Sequence, residues 1–166
     1  MKPWHFAILA IGVIIVSKIL SKPKLKHFAP SEFGAWYPLM NSELLQKLDA
    51  LREELGSPIH VSPVNGALGR HGGSGDHSQH NVDMWGEVRA IDVFPTLNGE
   101  YITTAQQRQT VYDAARKVGF TGIGLYTDTQ PGNMLHVDVR TDKTESQPAL
   151  WSRVGGDYMG IGEVLA

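Results

Sequence analysis

The sequence predicts an α+β domain with a small, mostly antiparallel sheet and flanking helices, preceded by a hydrophobic N-terminal helix. Three observations lead to this class. Two segments carry helix start and stop signals, several short apolar segments are bounded by Gly, Pro and polar residues, and a strongly apolar run opens the chain. The order helix, strand, loop, strand, helix, strand, strand is typical of an α+β fold with a mostly antiparallel sheet.

The first segment, from Trp4 to Leu20, is mostly apolar, and its apolar run is uninterrupted between residues 6 and 16. Its length suits a signal-peptide core and, with its flanks, the lower end of a membrane span. No small-residue cleavage site follows, so we predict an uncleaved anchor. We therefore divide the chain into an anchor with a basic linker (1–27) and a folded domain (28–166). The lysines after the run place that domain on the cytoplasmic side by the positive-inside rule, whereas a domain that acts outside the membrane needs the opposite orientation, and the sequence leaves the sidedness open.

The elements of the domain each have their own signal. A helix is predicted over residues 42–55, because Asn41 can cap its start and leucines recur along one face. A second helix ends at residue 117 and begins with a capping box of Thr103 and Gln106. Strands are predicted over residues 59–62, 89–94 (ended by Pro95), 122–126 and 134–140. The polar segment 63–89 is predicted to be a long loop without elements, of a kind that is usually functional.

Length, charge and cysteine content narrow the functional classes. A chain of 166 residues is long enough for one domain with a real core. Its formal net charge of -2 gives no electrostatic reason to expect a nucleic-acid partner. Because the chain has no cysteine, a bound metal would rest on His, Asp or Glu side chains. The oligomeric state does not follow from the sequence.

Three residues form a candidate metal-binding set: His80, Asp92 and His136. Successive side chains of a strand point to opposite faces, so two adjacent strands could present Asp92 and His136 toward one point. The loop just before the first of these strands would supply His80. Two imidazoles and a carboxylate leave one position of a zinc ion open for water, which is what hydrolysis requires.

The motifs around these residues resemble those of a known enzyme family. Its members are zinc D-alanyl-D-alanine carboxypeptidases and L-alanyl-D-glutamate endopeptidases, which share a fold with the hedgehog signalling domain. The similarity looks closest to the phage-type members and covers about residues 28–154. The matching segments are SQHNVDMWGEVRAIDVFP, which holds Ser78-Gln79-His80 and Ala90-Ile91-Asp92, then GIGLY, and LHVDVR with His136 and Asp138.

This resemblance implies zinc held by His80, Asp92 and His136, and peptidoglycan stem peptide as the substrate. It also implies a substrate-binding or oxyanion-steadying role for Arg70, which lies in roughly the region of such an arginine. His77 is a rival of His80 as a ligand, although the Ser-x pattern before His80 favours the latter.

The spacing of the first two ligands departs from the family pattern. His80 and Asp92 are twelve positions apart, where the common motif has seven. A short insertion at about residues 82–88 therefore has to bulge out without moving either ligand.

A second departure concerns the general base. The family places a carboxylate three residues before the last ligand histidine, but this chain has Asn133 there, and an amide cannot take a proton from water. Asp138, on the face of His136, is our candidate base, ahead of Asp128 and Glu87. Alternatively, Asp138 orients the ligand histidine.

Three hypotheses follow from the sequence. The chain is an active zinc peptidase acting on peptidoglycan stem peptides or cross-links, a non-catalytic zinc-binding module on the same fold, or a membrane-anchored domain whose histidines are coincidental. The bond that is cleaved, and a role in host lysis, genome entry or wall remodelling, do not follow from these residues.

Overall fold

A computed structural model describes residues 22–166, so the predicted hydrophobic anchor lies outside the described residues. Within residues 22–166, helices are either too short or too polar to cross a membrane. The described part is an α+β fold built on a seven-stranded, mostly antiparallel sheet, and this confirms the predicted class.

The sheet has the strand order β1-β2-β5-β4-β6-β7, and β3 pairs with β2 alone. Every pairing is antiparallel except that of β4 with β6. The strands are β1 (Ile59–Val61), β2 (Ala90–Leu97), β3 (Glu100–Tyr101), β4 (Gly122–Tyr126), β5 (Met134–Asp138), β6 (Ala149–Val154) and β7 (Asp157–Met159). The helices are α1 (Ser42–Leu55), α2 (Val82–Trp85) and α3 (Ala105–Val118), with 3₁₀ turns over Pro30–Leu39 and Ile161–Val164.

The two faces of the sheet differ in chemistry, because side chains alternate along each strand. On one face, α1 and α3 cover the main hydrophobic core, to which β2, β5 and β4 contribute their odd-numbered side chains, such as Ile91, Val137 and Ile123. On the other face, the even-numbered positions hold Asp92 and His136 together with a small aromatic cluster. The predicted metal-binding residues Asp92 and His136 therefore lie on the face that α1 and α3 leave open.

Helix α1 depends on its leucines for attachment to this core. Asn41 accepts a hydrogen bond from the Leu44 N–H at the start of the helix, as predicted, and Gly56 ends it in the left-handed conformation. Four leucines on the inner side are fully buried: Leu44, Leu45, Leu48 and Leu51.

Replacing Leu48 with alanine is expected to lower the free energy of unfolding by about 2–5 kcal/mol, since it removes buried contacts and leaves a cavity. Chemical denaturation of the full chain measures this loss. Leu39→Ala is the matched control, because Leu39 is 40% exposed and its truncation is expected to change stability by less than about 0.5 kcal/mol. Equal losses in the two variants would contradict the assignment of α1 to the core.

Two predicted boundaries were wrong by a few residues. Helix α3 is capped by Thr104 rather than Thr103, because the Thr104 hydroxyl accepts from the Gln107 N–H (3.3 Å) and the Gln107 side chain accepts from the Thr104 N–H (3.0 Å). Strand β2 continues through Pro95, where we predicted its end. Ile59 lies opposite Pro95 in a pair without hydrogen bonds, since the next N–H, of Thr96, donates to Pro58. The missing N–H of Pro95 therefore interrupts no bond to β1.

The long connection between β1 and β2 was predicted to lack elements, and this was wrong because it contains α2. The Asn81 side chain accepts from the Asp83 N–H at the start of this turn, and Gly86 ends it. The backbone N–H of Arg89 then donates to the Gln79 carbonyl (2.9 Å). The segment between residues 79 and 89 therefore starts and ends at neighbouring points of the fold. This explains how the fold accommodates the twelve-position spacing of His80 and Asp92.

Candidate metal centre

The three predicted ligands come together on the open face of the sheet. Asp92 of β2 and His136 of β5 are direct cross-strand partners, so the predicted adjacency of their strands is confirmed. His80 lies in the connection between β1 and β2, just before α2. Both histidines are buried (4% and 6% exposed), and Asp92 is partly buried.

The spacing of the ligand atoms suits a single ion. His136 Nδ1 lies 2.9 Å from Asp92 Oδ1 and 3.2 Å from His80 Nε2, and the distance from His80 Nε2 to Asp92 Oδ1 is 3.5 Å. Ligand atoms about 2.1 Å from a tetrahedral zinc ion lie about 3.4 Å from one another. The observed separations are close to this value, so the group could hold a metal ion with only small movements of the side chains.

Each histidine is held through the ring nitrogen that faces away from the ligand group. His80 Nδ1 lies 2.7 Å from the backbone carbonyl of Leu68, which can only accept, so this nitrogen carries the proton and Nε2 is free to bind. His136 Nε2 lies 3.0 Å from Asp138 Oδ2. Such outer partners fix the tautomer and the ring orientation of metal-binding histidines.

Asp138 is fully buried and its oxygens are occupied. Besides His136, its carboxylate accepts from the Arg140 guanidinium (2.9 and 3.1 Å from Nε) and from the Arg140 backbone N–H. Burial raises the pKa of Asp138, but the bonds from His136 and Arg140 outweigh it and hold the pKa well below its usual range. Because Asp138 lies behind the ring of His136, this geometry favours the orienting role over that of a general base.

The same pair of carboxylates controls the charge of His136. Burial lowers its pKa, but the hydrogen bonds to Asp138 and Asp92 more than compensate and raise it to about 9. Burial likewise raises the pKa of Asp92, and the bonds to His136 and His80 bring it well below its usual range. The two carboxylates on either side of the ring, Asp92 at Nδ1 and Asp138 at Nε2, therefore favour the protonated form of His136.

Metal binding at pH 7 is expected to release about one proton from His136, because Nδ1 must be deprotonated to bind. Since protonation competes below a pKa of about 9, the apparent zinc affinity is expected to rise about tenfold per pH unit up to that pH and to level off above it. Calorimetric titration with zinc in two buffers of different ionisation enthalpy measures the proton count. An affinity that stays constant between pH 6.5 and 9 would contradict this charge assignment.

The ligand group opens into a cavity of about 510 Å³. Arg70 is part of its wall, because its backbone N–H donates to the His80 carbonyl (3.0 Å) and places it beside that residue. The Arg70 side chain also makes two hydrogen bonds to Asp76 (2.7 and 3.1 Å). His77, the rival ligand, lines the same cavity but lies outside the group of three.

The other base candidates do not line this cavity. Asp128 accepts from Arg153, and Glu87 accepts from Asn41 and Arg89. Asn133 accepts from the Arg108 guanidinium at 2.7 Å and is not part of the wall. Within residues 22–166, the cavity wall contains a single carboxylate, Asp92, which already belongs to the ligand group.

Three aromatic residues of the wall, Tyr126, Trp151 and Tyr158, were missed by the sequence analysis. The Trp151 ring centre lies 5.0 Å from that of His136, and its Nε1 donates to the Tyr126 hydroxyl (3.1 Å). Burial raises the pKa of Tyr126, so the hydroxyl stays protonated at neutral pH. Strand alternation in GIGLY puts Tyr126 on the face of the ligands and could have revealed it. Trp151 gave no such signal, because its strand was not predicted.

Comparisons of the chain with protein-family models, curated proteins and solved structures found no significant match. The description of the site therefore depends on the geometry of these residues. Membership of the peptidase family suggested by the motifs stays a hypothesis.

Proposed function

We propose that this protein is a zinc-dependent peptidase that hydrolyses amide bonds in peptidoglycan stem peptides or cross-links. The observation that carries the proposal is the convergence of His80, Asp92 and His136 at the wall of an open cavity. A ligand group that faces a cavity leaves a coordination position accessible, which is a property of catalytic rather than structural zinc sites.

Zinc is the ion that the ligand types favour. Two imidazoles and one carboxylate are a common catalytic zinc set, and their spacing suits a tetrahedral ion. When bound, zinc supplies Lewis acidity, which activates water and polarises an amide carbonyl. Around it, Arg70 would bind a substrate carboxylate or steady the negative charge of the transition state, and Tyr126 would offer a hydroxyl proton to a substrate carbonyl.

The substrate class is supported by the resemblance of the Ser-x-His, Ala-x-Asp and Leu-His-Val-Asp motifs to peptidoglycan peptidases. Stem peptides carry free carboxylates, and the cavity wall includes three arginines that could contact them, each of which is also bonded to a carboxylate of the protein: Arg70, Arg140 and Arg153. The predicted N-terminal anchor would hold this activity at a membrane surface.

A non-catalytic zinc-binding module is the second candidate, and one observation favours it. Apart from the ligand Asp92, the described part of the cavity wall offers no carboxylate to take a proton from water. Outside the ligand group, the described part of the wall contains one histidine, His77, and histidine is the side-chain type most often used as a general base. We propose His77 as the proton acceptor if the protein is an enzyme.

Incubation of the zinc-loaded full chain with purified peptidoglycan tests the two candidates against each other. We expect new primary amines and shortened stem peptides, detected by amine labelling and mass spectrometry. A protein that binds stoichiometric zinc but releases no amines from peptidoglycan would be a binding module, and a protein that binds no zinc would contradict both proposals.

A further inference from the structure

Strand β4 contains two glycines at positions where the backbone conformation does not require glycine. Gly122 and Gly124 lie inside a fully buried strand, and neither has a positive φ. Glycine weakens a strand interior, because it adds conformational entropy to the unfolded chain and offers no side chain for packing. A glycine that is not needed for its φ indicates that the space above it is needed by another group.

That space is occupied by the two side chains that contact His136. A Cβ atom on Gly122 would overlap with the Asp138 carboxylate, at separations far below those of real Cβ contacts. A Cβ atom on Gly124 would lie 2.5 Å from Cε2 and Nε1 of the Trp151 indole. Both glycines face the ligand side of the sheet, where Gly122 pairs with Asp138 and Gly124 pairs with His136.

The two side chains form one layer over these glycines. Asp138 binds His136 Nε2, the Trp151 ring packs against the His136 ring at 54°, and Arg140 joins them. The Arg140 guanidinium is bonded to Asp138 and lies 5.3 Å from the Trp151 ring centre. His136 is therefore held on two sides, by Asp138 and by Trp151. Both groups occupy space that a side chain at position 122 or 124 of β4 would fill.

We infer that Gly122 and Gly124 are positioning residues of the metal centre, which act by giving Asp138 and Trp151 room to hold His136 in its metal-binding orientation. This inference rests on the metal site of the proposed function, not on the peptidase activity. It assigns a role to two residues that touch neither the ion nor the substrate.

The test compares Gly122→Ala and Gly124→Ala with Gly160→Ala in the full chain. Gly160 is the matched control, because its φ of -63° suits alanine and nothing lies within 4 Å of an added Cβ. Displacement of Asp138 or Trp151 is expected to weaken zinc binding by about 10–100-fold, the range for loss of an outer partner of a metal-binding histidine. Gly160→Ala is expected to bind zinc as the wild type does.

A second readout does not depend on zinc. In the metal-free protein, the His136 Nε2 proton bonded to Asp138 is expected to give a downfield imidazole resonance that Gly160→Ala keeps and Gly122→Ala loses. If the wild type bound no zinc, the proposed function would fail while this resonance still decided the role of Gly122. Zinc affinities within twofold of the control, together with an unchanged resonance, would overturn the inference.

The double variant Gly124→Ala/Trp151→Ala covers the case in which Gly124→Ala fails to fold. Removal of the indole removes the overlap, so Gly124→Ala is expected to have little further effect on folding or zinc affinity in the Trp151→Ala background. Equal effects of Gly124→Ala in both backgrounds would show that the glycine acts through some other contact and would overturn its assigned role.

Discussion

Replacing His136 with alanine is expected to abolish zinc binding and peptidoglycan hydrolysis together. The variant keeps only His80 and Asp92, which cannot hold a catalytic ion in a defined geometry. Because loss of an outer partner already weakens metal binding by about 10–100-fold, loss of this ligand is expected to exceed about 100-fold. Metal analysis after gel filtration and release of amines from peptidoglycan measure the two effects on the same preparation.

His71→Ala is the matched control for this substitution. His71 is also paired with a carboxylate, since its Nδ1 lies 2.8 Å from Asp83, but it is exposed and outside the ligand group. We expect it to keep one zinc per chain and full activity. A His136→Ala variant that retained stoichiometric zinc would contradict the assignment of the metal centre.

Replacing Asp138 with asparagine separates the two roles considered for this residue. The amide oxygen of asparagine can still accept from Arg140, and its NH₂ group then faces His136 Nε2. A donor at this point forces the His136 proton onto Nδ1, the nitrogen that binds the ion. If Asp138 orients His136, zinc affinity is expected to fall about 10–100-fold, while activity returns at saturating zinc. A general base would give the opposite result, with unchanged zinc affinity and no activity at any zinc concentration.

The same substitution is expected to destabilise the fold, because it removes the charge that balances Arg140. Breaking a buried ion pair costs about 3–5 kcal/mol, and since 21% of the Arg140 side chain is exposed we expect about 2–3 kcal/mol in denaturation experiments. Asp128→Asn is the control, because Asp128 binds Arg153 of the same cavity wall without contacting a histidine. It is expected to leave the zinc affinity unchanged.

The alternation of side chains along a strand was sufficient to predict that Asp92 and His136 lie on the same face of the sheet. Asp92 and His136 lie in segments with strong strand signals, and the burial of Ile91 and Val137 on the opposite face fixes the direction in which the ligands point. The same alternation also predicted that Asp138 lies on the face of His136. It could not give the ring nitrogen to which Asp138 binds, because that depends on the side-chain torsions of His136 and on packing against Trp151.

The contribution of β6 to the site could not be predicted in the same way. Apolar and polar residues do not alternate in the segment ALWSRV (149–154), so its sequence lacks the period of a half-buried strand. Its position beside β4 is set by a crossover and by parallel pairing, which are non-local. For the same reason the sequence showed the glycines of GIGLY only as part of a motif and did not indicate their role. The side chains that pack over them, Asp138 and Trp151, come from β5 and β6.

The two candidate ligand histidines, His80 and His136, differ in how easily a mutation can change the orientation of the ring. The ring of His80 is fixed by the main-chain carbonyl of Leu68, an atom that every residue type supplies. The ring of His136 depends on the side chain of Asp138, which one nucleotide change can remove. In a random mutant library, loss of metal binding without loss of a ligand should therefore concentrate around β4, β5 and β6, and substitutions at Leu68 should be tolerated as long as the backbone keeps its course.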